Sequence, residues 1–131
     1  MRVKSHVFQE AVDNRRLALQ EFNKFVQLPP AEAAASLLSY SVQLGSNRGR
    51  LLGSTYTSWI RDRVKIPSWA HEAASYALIH MGFIPTSEVE VYFISAPLLH
   101  KYDSLKIFLE LPGVVNWPKE AVELVCSSVE S

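Results

Sequence analysis

The stretch from residue 66 to residue 111 constrains the fold of this chain more than any other part, because helix start and stop signals recur along it. Pro67 is typical of the residues that precede a helix, and Gly82 is typical of a helix end. Pro85 marks a second start, and a turn at residues 101–104 separates a third segment. The stretch therefore predicts three short helices that pack antiparallel to one another.

One run inside this stretch has the composition of a strand. Residues 89–94 are β-branched or aromatic, with one acidic exception, which favours a strand by propensity alone. Ser87 and Glu90 lie three positions apart, however, and this is the spacing of a capping box at a helix start. We therefore predict a helix here, and we expect Pro97 to bend or end it within one turn.

Four further helices are predicted by apolar residues spaced three and four apart. Their expected ranges are 5–26, 30–45, 50–64 and the segment after Pro118. The fold class is therefore predicted to be all-α, with about seven short helices. Pro85 and Pro118 both open helices and lie 33 residues apart, close to the tetratricopeptide and pentatricopeptide period. Antiparallel helix pairs stacked as a short α-solenoid are the arrangement that this spacing favours.

The length of 131 residues predicts a single domain, residues 1–131. Within this domain, residues 1–27 are expected to form an amino-terminal helix that could also carry a targeting signal. Residues 28–131 are expected to form the helix-pair solenoid. Cleaved mitochondrial presequences avoid acidic residues, whereas this segment carries three, so an ordinary helix is favoured over a cleaved one. The chain has no apolar run of eighteen residues, so we predict no transmembrane segment.

Charge is distributed unevenly in a chain whose formal net charge is zero. Residues 48–65 carry five basic side chains against one acidic, and residues 86–131 carry three basic against seven acidic. Two solvated faces are the simpler interpretation, and docking of each pole onto a complementary neighbour is the alternative. The neutral total disfavours a free-standing nucleic-acid binder. The candidate interface residues are Arg48, Arg50, Arg61, Arg63 and Trp117.

No motif in the sequence predicts catalysis or a cofactor. His71 and Glu72 begin a zinc-protease pattern, but position 75 is serine where that pattern needs a second histidine. Cys126 is the sole cysteine, so the chain has no internal disulfide, which fits a reducing compartment or the mitochondrial matrix. We therefore expect no enzyme activity, no metal, no cofactor and no small-molecule substrate. Trp69 is expected to be a packing residue.

The order of signals in residues 66–111 resembles subunit Va of mitochondrial cytochrome c oxidase, called subunit VI in yeasts. The residues that carry the resemblance are the segments IPSW at 66–69, GFIP at 82–85 and YDSLKIFLE at 102–110. The resemblance implies an all-helical accessory subunit on the matrix side of the inner membrane, with no haem or copper of its own. It carries over no functional residue, because the family has no catalytic site.

Two functional hypotheses follow. The first is a non-catalytic structural subunit of a mitochondrial respiratory complex, with cytochrome c oxidase as its host and other protein subunits as its partners. The alternative is a small pentatricopeptide- or tetratricopeptide-like protein that binds RNA or belongs to the mitochondrial ribosome or another mitochondrial complex. Base-by-base RNA recognition needs many repeats, and this chain has room for about three helix pairs. The first hypothesis is therefore preferred.

Overall fold

The structure is a computed structural model that describes residues 1–46 and 49–130. These residues form eight α-helices, one 3-10 turn and one two-stranded ribbon, so the predicted all-α class is confirmed. The elements are β1 Arg2–Val3, α1 Ser5–Asp13, α2 Arg15–Val26, α3 Pro30–Gln43, α4 Gly53–Arg61, α5 Ser68–His80, α6 Glu88–Tyr102, α7 Leu105–Leu109, the 3-10 turn Val114–Asn116, α8 Lys119–Ser127 and β2 Val129–Glu130. None of the helices in these two ranges is both long and apolar enough to cross a lipid bilayer.

The single helix predicted over residues 5–26 is wrong, because the chain breaks at Asn14 into α1 and α2. Asn14 has φ −109° and ψ 21°, and its side-chain Nδ2 donates to the carbonyl oxygen of Glu10 at 2.8 Å. An asparagine side chain competes in this way for a carbonyl that the helical backbone would otherwise use. The break lets α1 pack mainly on α6 while α2 packs on α5 and α4.

The proline and glycine signals of α3 are confirmed. Pro30 occupies the first turn, and Gly45 follows the helix in a left-handed conformation with φ 87°. The next helix differs from the prediction, since α4 spans nine residues, Gly53–Arg61, rather than residues 50–64. A Cβ atom on Gly53 would lie 2.9 Å from the backbone nitrogen of Ala31. The first turns of α3 and α4 therefore lie against each other.

Helix α6 is the centre of the molecule. Every residue from 91 to 99 is buried, and the helix packs on α1, α2, α5, α7, α8 and β1. The strand-like run at 89–94 is therefore helical, as predicted, and its composition suits a helix that is buried on all sides. One half of the predicted capping box is present, because the Ser87 hydroxyl accepts from the Glu90 backbone N–H at 3.2 Å. The Glu90 carboxylate accepts from the backbone N–H of Thr86, one residue before the expected donor, at 2.7 Å.

The predicted solenoid is not confirmed. In a solenoid each helix pair contacts its neighbours along the chain. Here α1 packs most extensively on α6, which lies about 80 residues further along the chain. The two ends of the described chain also meet, since β1 and β2 pair antiparallel with Val3 opposite Val129. Five of the other seven α-helices in the described ranges pack on α6, whereas α3 and α4 pack on each other and on α5 and α2.

Of the two outcomes expected at Pro97, an end of the helix within one turn is wrong. Helix α6 continues past Pro97 to Tyr102 and ends at Asp103, which adopts a left-handed conformation with φ 52°. Helix α7 then begins after Ser104, whose hydroxyl accepts from the Ile107 backbone N–H at 3.2 Å. The reason that Pro97 is tolerated lies in the contacts made by the carbonyl group one turn before it.

Candidate functional site

A buried polar cluster joins three helices around Pro97. Proline has no N–H, so the carbonyl oxygen of Phe93, four residues earlier, lacks its usual helical donor. Two side chains of α5 replace that donor: His71 Nε2 lies 2.7 Å from this oxygen, and the Ser75 hydroxyl donates to it at 3.1 Å. The sequence of α6 thus leaves an acceptor in the core, and α5 satisfies it. This contact explains why the helix continues through the proline.

The same contacts assign the protonation state of His71. A carbonyl oxygen only accepts, so Nε2 carries the proton and Nδ1 is the acceptor. Arg15 Nε donates to that Nδ1 at 3.3 Å, and Arg15 Nη1 donates to the Ile66 carbonyl at 3.1 Å. Burial lowers the pKa of His71 to about 4, the bond to Phe93 opposes this, and the charge of Arg15 lowers it further. His71 is therefore neutral at physiological pH.

A small cavity of about 150 Å³ lies beside this cluster. Its lining residues are Phe8, Ala11, Val12, Arg15, Ser68, His71, Glu72, Pro97 and His100. Glu72 also forms an ion pair with Lys101, with 3.8 Å between Oε1 and Nζ. The volume is below the roughly 300 Å³ of small-molecule pockets, and it suits a few water molecules. Both ring nitrogens of His71 are already engaged, so the arrangement joins helices rather than offering a base to a substrate.

Metal binding has no support in the described part of the chain. Among residues 1–46 and 49–130, no three histidine, cysteine, aspartate or glutamate side chains converge closely enough to hold a metal ion. His71 and His80 illustrate the reason, since they lie on the same helix but one is buried and the other exposed. Cys126 is exposed on α8.

The candidate interface residues do not all lie on the surface. Arg48 lies outside the described residues, whereas Arg50, Arg61 and Arg63 are exposed. The expectation that Trp117 belongs to an interface is corrected, because only 6% of its surface is exposed. Its ring packs edge-on against Phe108 with 5.7 Å between ring centroids, since the 3-10 turn before it directs it inward onto α7. Trp117 is therefore part of the core and is not available to a partner.

The candidate interface residues other than Trp117 are cations, and those that the structure describes are exposed. We call the group of exposed cations the basic surface, and it consists of Arg50, Arg61, Arg63 and Lys65. None of the four forms an ion pair or side-chain hydrogen bond with any residue in the ranges 1–46 and 49–130. Exposed apolar side chains accompany them, because Leu52 is 50% exposed and Val64 is 42% exposed.

Sequence reasoning missed a residue that extends the basic surface. Arg16 lines a groove of about 230 Å³ together with Lys65, Val64 and Asp13. The Nε atom of Arg16 is buried and finds no acceptor among the described residues. Gln20 Nε2 donates to the Ile60 carbonyl at 3.0 Å, which shows that α2 lies against the end of α4. Only this long-range pairing places Arg16 beside Lys65, so no local signal in the sequence predicts it.

Comparisons with known proteins found no relative of this chain. No protein-family model matches the chain, no curated protein matches it, and no solved structure matches it. The functional argument therefore depends on the surface of the chain itself.

Proposed function

We propose that this chain is a non-catalytic docking subunit that binds other protein subunits of a larger assembly through its basic surface. The observation that carries this proposal is the set of four exposed cations that have no partner within the described residues. Unpaired like charges on one segment repel each other, and an acidic partner relieves that repulsion.

The apolar residues beside these cations support a protein partner. An isolated surface ion pair contributes only about 0–1 kcal/mol, so charge alone does not hold a stable complex. Leu52 and Val64 are about half exposed and lie within the same segment as the cations. Protein interfaces contain both apolar and charged residues, and this segment exposes both kinds.

RNA is the alternative partner for the same cations. A phosphate backbone attracts any cluster of arginine and lysine. The formal net charge of the whole chain is zero, however, and residues 86–131 are acidic, so a long polyanion meets repulsion beyond the basic surface. An acidic protein surface of limited area is the better complement.

The host that we propose is a mitochondrial respiratory complex, with the chain on the matrix side of the inner membrane. What supports cytochrome c oxidase as this host is the resemblance of residues 66–111 to its subunit Va. The all-helical fold is compatible with this host. The same residues carry no cofactor ligand in that family, which agrees with a structural role.

Charge reversal tests the docking proposal. The double variant Arg61→Glu/Arg63→Glu reverses two members of the basic surface, and Lys24→Glu/Lys106→Glu changes the net charge equally at exposed sites outside it. A tagged chain is expressed in cells, its complexes are extracted in mild detergent, and the bound subunits are quantified. We expect the first variant to recover at least about tenfold less bound protein than the native chain, which is the effect of losing a desolvated charge pair. We expect the control variant to recover as much bound protein as the native chain.

Three outcomes contradict the proposal or part of it. Equal recovery of partners by both variants removes the basic surface from the interface. Recovery of RNA that is cross-linked to the chain, with loss of all partners after ribonuclease treatment, makes RNA the ligand instead. Recovery of a partner complex that contains no oxidase subunit overturns the proposed host while the docking role stands.

A further inference from the structure

A second exposed apolar cluster lies on the face where α2 meets the segment after α5. Phe25 is 43% exposed, and its ring packs edge-on against Phe83 with 5.5 Å between centroids. Leu28 follows Phe25 along the chain and is 40% exposed, and Ile84 follows Phe83 and is 38% exposed. Apolar side chains that gather in this way on a surface commonly mark an interaction site.

This cluster continues into a groove. Ile84 and Pro85 form one side, α8 forms the other, and the volume between them is about 290 Å³. The apolar groove consists of Ile84, Pro85, Val91, Pro118, Ala121 and Leu124. It exists because α8 packs against α6 while the segment before α6 stays at the surface. The apolar lining of this groove has the chemistry that receives the apolar stripe of a helix.

The rim of the apolar groove is negatively charged. Glu88 and Glu120 line it, and both are exposed. Residues 84–91 and 118–124 together carry four glutamates against Lys119, a formal charge of −3. These glutamates lie near the first turns of α6 and α8, where helix ends favour acidic side chains. Glu120 forms no ion pair or side-chain hydrogen bond within the described ranges, so its charge is available to a ligand.

We infer that the apolar groove binds a partner helix that has one apolar stripe flanked by lysine or arginine residues. Charge complementarity selects this occupant, because a basic flank pairs with Glu88 and Glu120 whereas an acidic helix or an anionic lipid surface is repelled. The inference rests on the proposed function and adds a second docking surface of opposite charge, built from residues that the basic surface does not include.

A second copy of this chain is a poorer occupant. Its own basic segment includes α4, whose apolar side chains Tyr56 and Trp59 are 1% and 7% exposed. Those side chains belong to the core of their own molecule, so a folded copy offers no free apolar stripe from that helix. We therefore assign the groove to a segment of a different protein, and binding of a second copy is an outcome that the experiment below distinguishes.

A pair of model peptides tests the inference on the full chain. One is an amphipathic peptide of about 18 residues made of leucine and lysine, and the other replaces every lysine by glutamate. Fluorescence anisotropy of labelled peptides measures binding at two salt concentrations. We expect the leucine–lysine peptide to bind at least about tenfold more tightly than its acidic counterpart, with affinity falling as salt rises.

Variants of the chain locate the site. Ile84→Ser is expected to weaken binding of the leucine–lysine peptide about tenfold, through loss of apolar contact. Glu88→Gln/Glu120→Gln is expected to reduce both the affinity and its dependence on salt. Val42→Ser is the matched control, because Val42 is 56% exposed but lies outside the apolar groove. Exposed positions are used throughout so that the variants fold.

Each contrary outcome has a defined meaning. Equal binding of both peptides, or binding unaffected by Ile84→Ser and by Glu88→Gln/Glu120→Gln, overturns the inference. Concentration-dependent dimers that Ile84→Ser abolishes assign the groove to a second copy and also overturn it. Arg61→Glu/Arg63→Glu separates the two proposals, since it is expected to abolish docking onto the host complex and to leave peptide binding at the apolar groove intact.

Discussion

His71 Nε2 lies 2.7 Å from the carbonyl oxygen of Phe93, the group that Pro97 leaves without a helical donor. His71 and Ser75 of α5 therefore complete the hydrogen bonding of α6. The neutral ring also leaves Nδ1 as an acceptor for Arg15 Nε, a bond that a protonated ring would lose. The burial of this ring and its contact with Phe93 give predictions for the pH dependence of stability and for the tolerance of Pro97.

Acid is expected to destabilise the fold through His71. Its pKa is lowered from 6.5 to about 4 by burial, so between these values the unfolded chain binds a proton that the folded chain does not. The stability is intact above pH 6.5 and falls as the pH drops toward 4, by up to about 3 kcal/mol. Urea unfolding at pH 7 and pH 4.5 measures this loss.

The variant His71→Gln is the control for the pH experiment. Glutamine keeps a donor and an acceptor at similar positions but does not titrate. Its unfolding free energy is expected to vary less between pH 7 and pH 4.5 than that of the native chain. A pH dependence identical to the native one would assign the acid sensitivity to carboxylates elsewhere.

A double-mutant cycle tests the coupling between His71 and Pro97. His71→Leu removes the donor to Phe93 and leaves a buried carbonyl with fewer partners, at a cost of about 1–3 kcal/mol. Pro97→Ala restores a backbone N–H that bonds the same carbonyl, so His71→Leu is expected to cost about 1 kcal/mol less in that background. Urea unfolding of the four proteins gives the coupling energy. Strictly additive effects would contradict this account of the helix.

Gly113 is expected to tolerate no larger residue. A Cβ atom at this position would collide with the carbonyl oxygen of Ile79, which belongs to the backbone and cannot move aside by changing rotamer. Gly113→Ala should therefore lower the unfolding free energy by about 3 kcal/mol, as forced overpacking does. Asn116→Ala, at an exposed position of the adjacent 3-10 turn, is expected to change it by less than about 0.5 kcal/mol.

Replacing either of two tryptophans that pack against each other should destabilise the fold, but by different amounts. Trp59 and Trp69 meet edge-on with 5.7 Å between centroids, but Trp59 is 7% exposed whereas Trp69 is only partly buried. Trp59→Ala is expected to cost about 3–5 kcal/mol, and Trp69→Ala clearly less. Thermal unfolding compares them. An equal cost would show that Trp69 supports the fold as much as its buried neighbour does.

Helix starts were predictable from the sequence because the signals are local. Pro30, Ser87 and Ser104 act on backbone groups within four residues of themselves, and all three precede or begin the helices expected of them. The break at Asn14 was missed because the apolar spacing continues across it. That break becomes favourable only when α1 and α2 find different helices to pack against.

The candidate interface was harder to predict, because exposure is a property of the whole fold. Arg61 and Arg63 are exposed as charged residues usually are, whereas Trp117 is buried by a turn whose direction no local pattern specifies. The tolerance of Pro97 was likewise hidden, since its compensation comes from His71 and Ser75 on another helix. Contacts between distant residues decided each of these cases.

The ribbon of β1 and β2 makes a topological demand on folding. It pairs Val3 with Val129, so its formation closes a loop of nearly the whole chain, and Lys4 N–H adds a bond to the Ser128 carbonyl at 2.8 Å. Closing so long a loop costs entropy that a few hydrogen bonds do not offset until the helices have assembled. The ribbon is therefore expected to form last during folding and to open first in the native state, so that its amide hydrogens exchange with solvent long before those of α6.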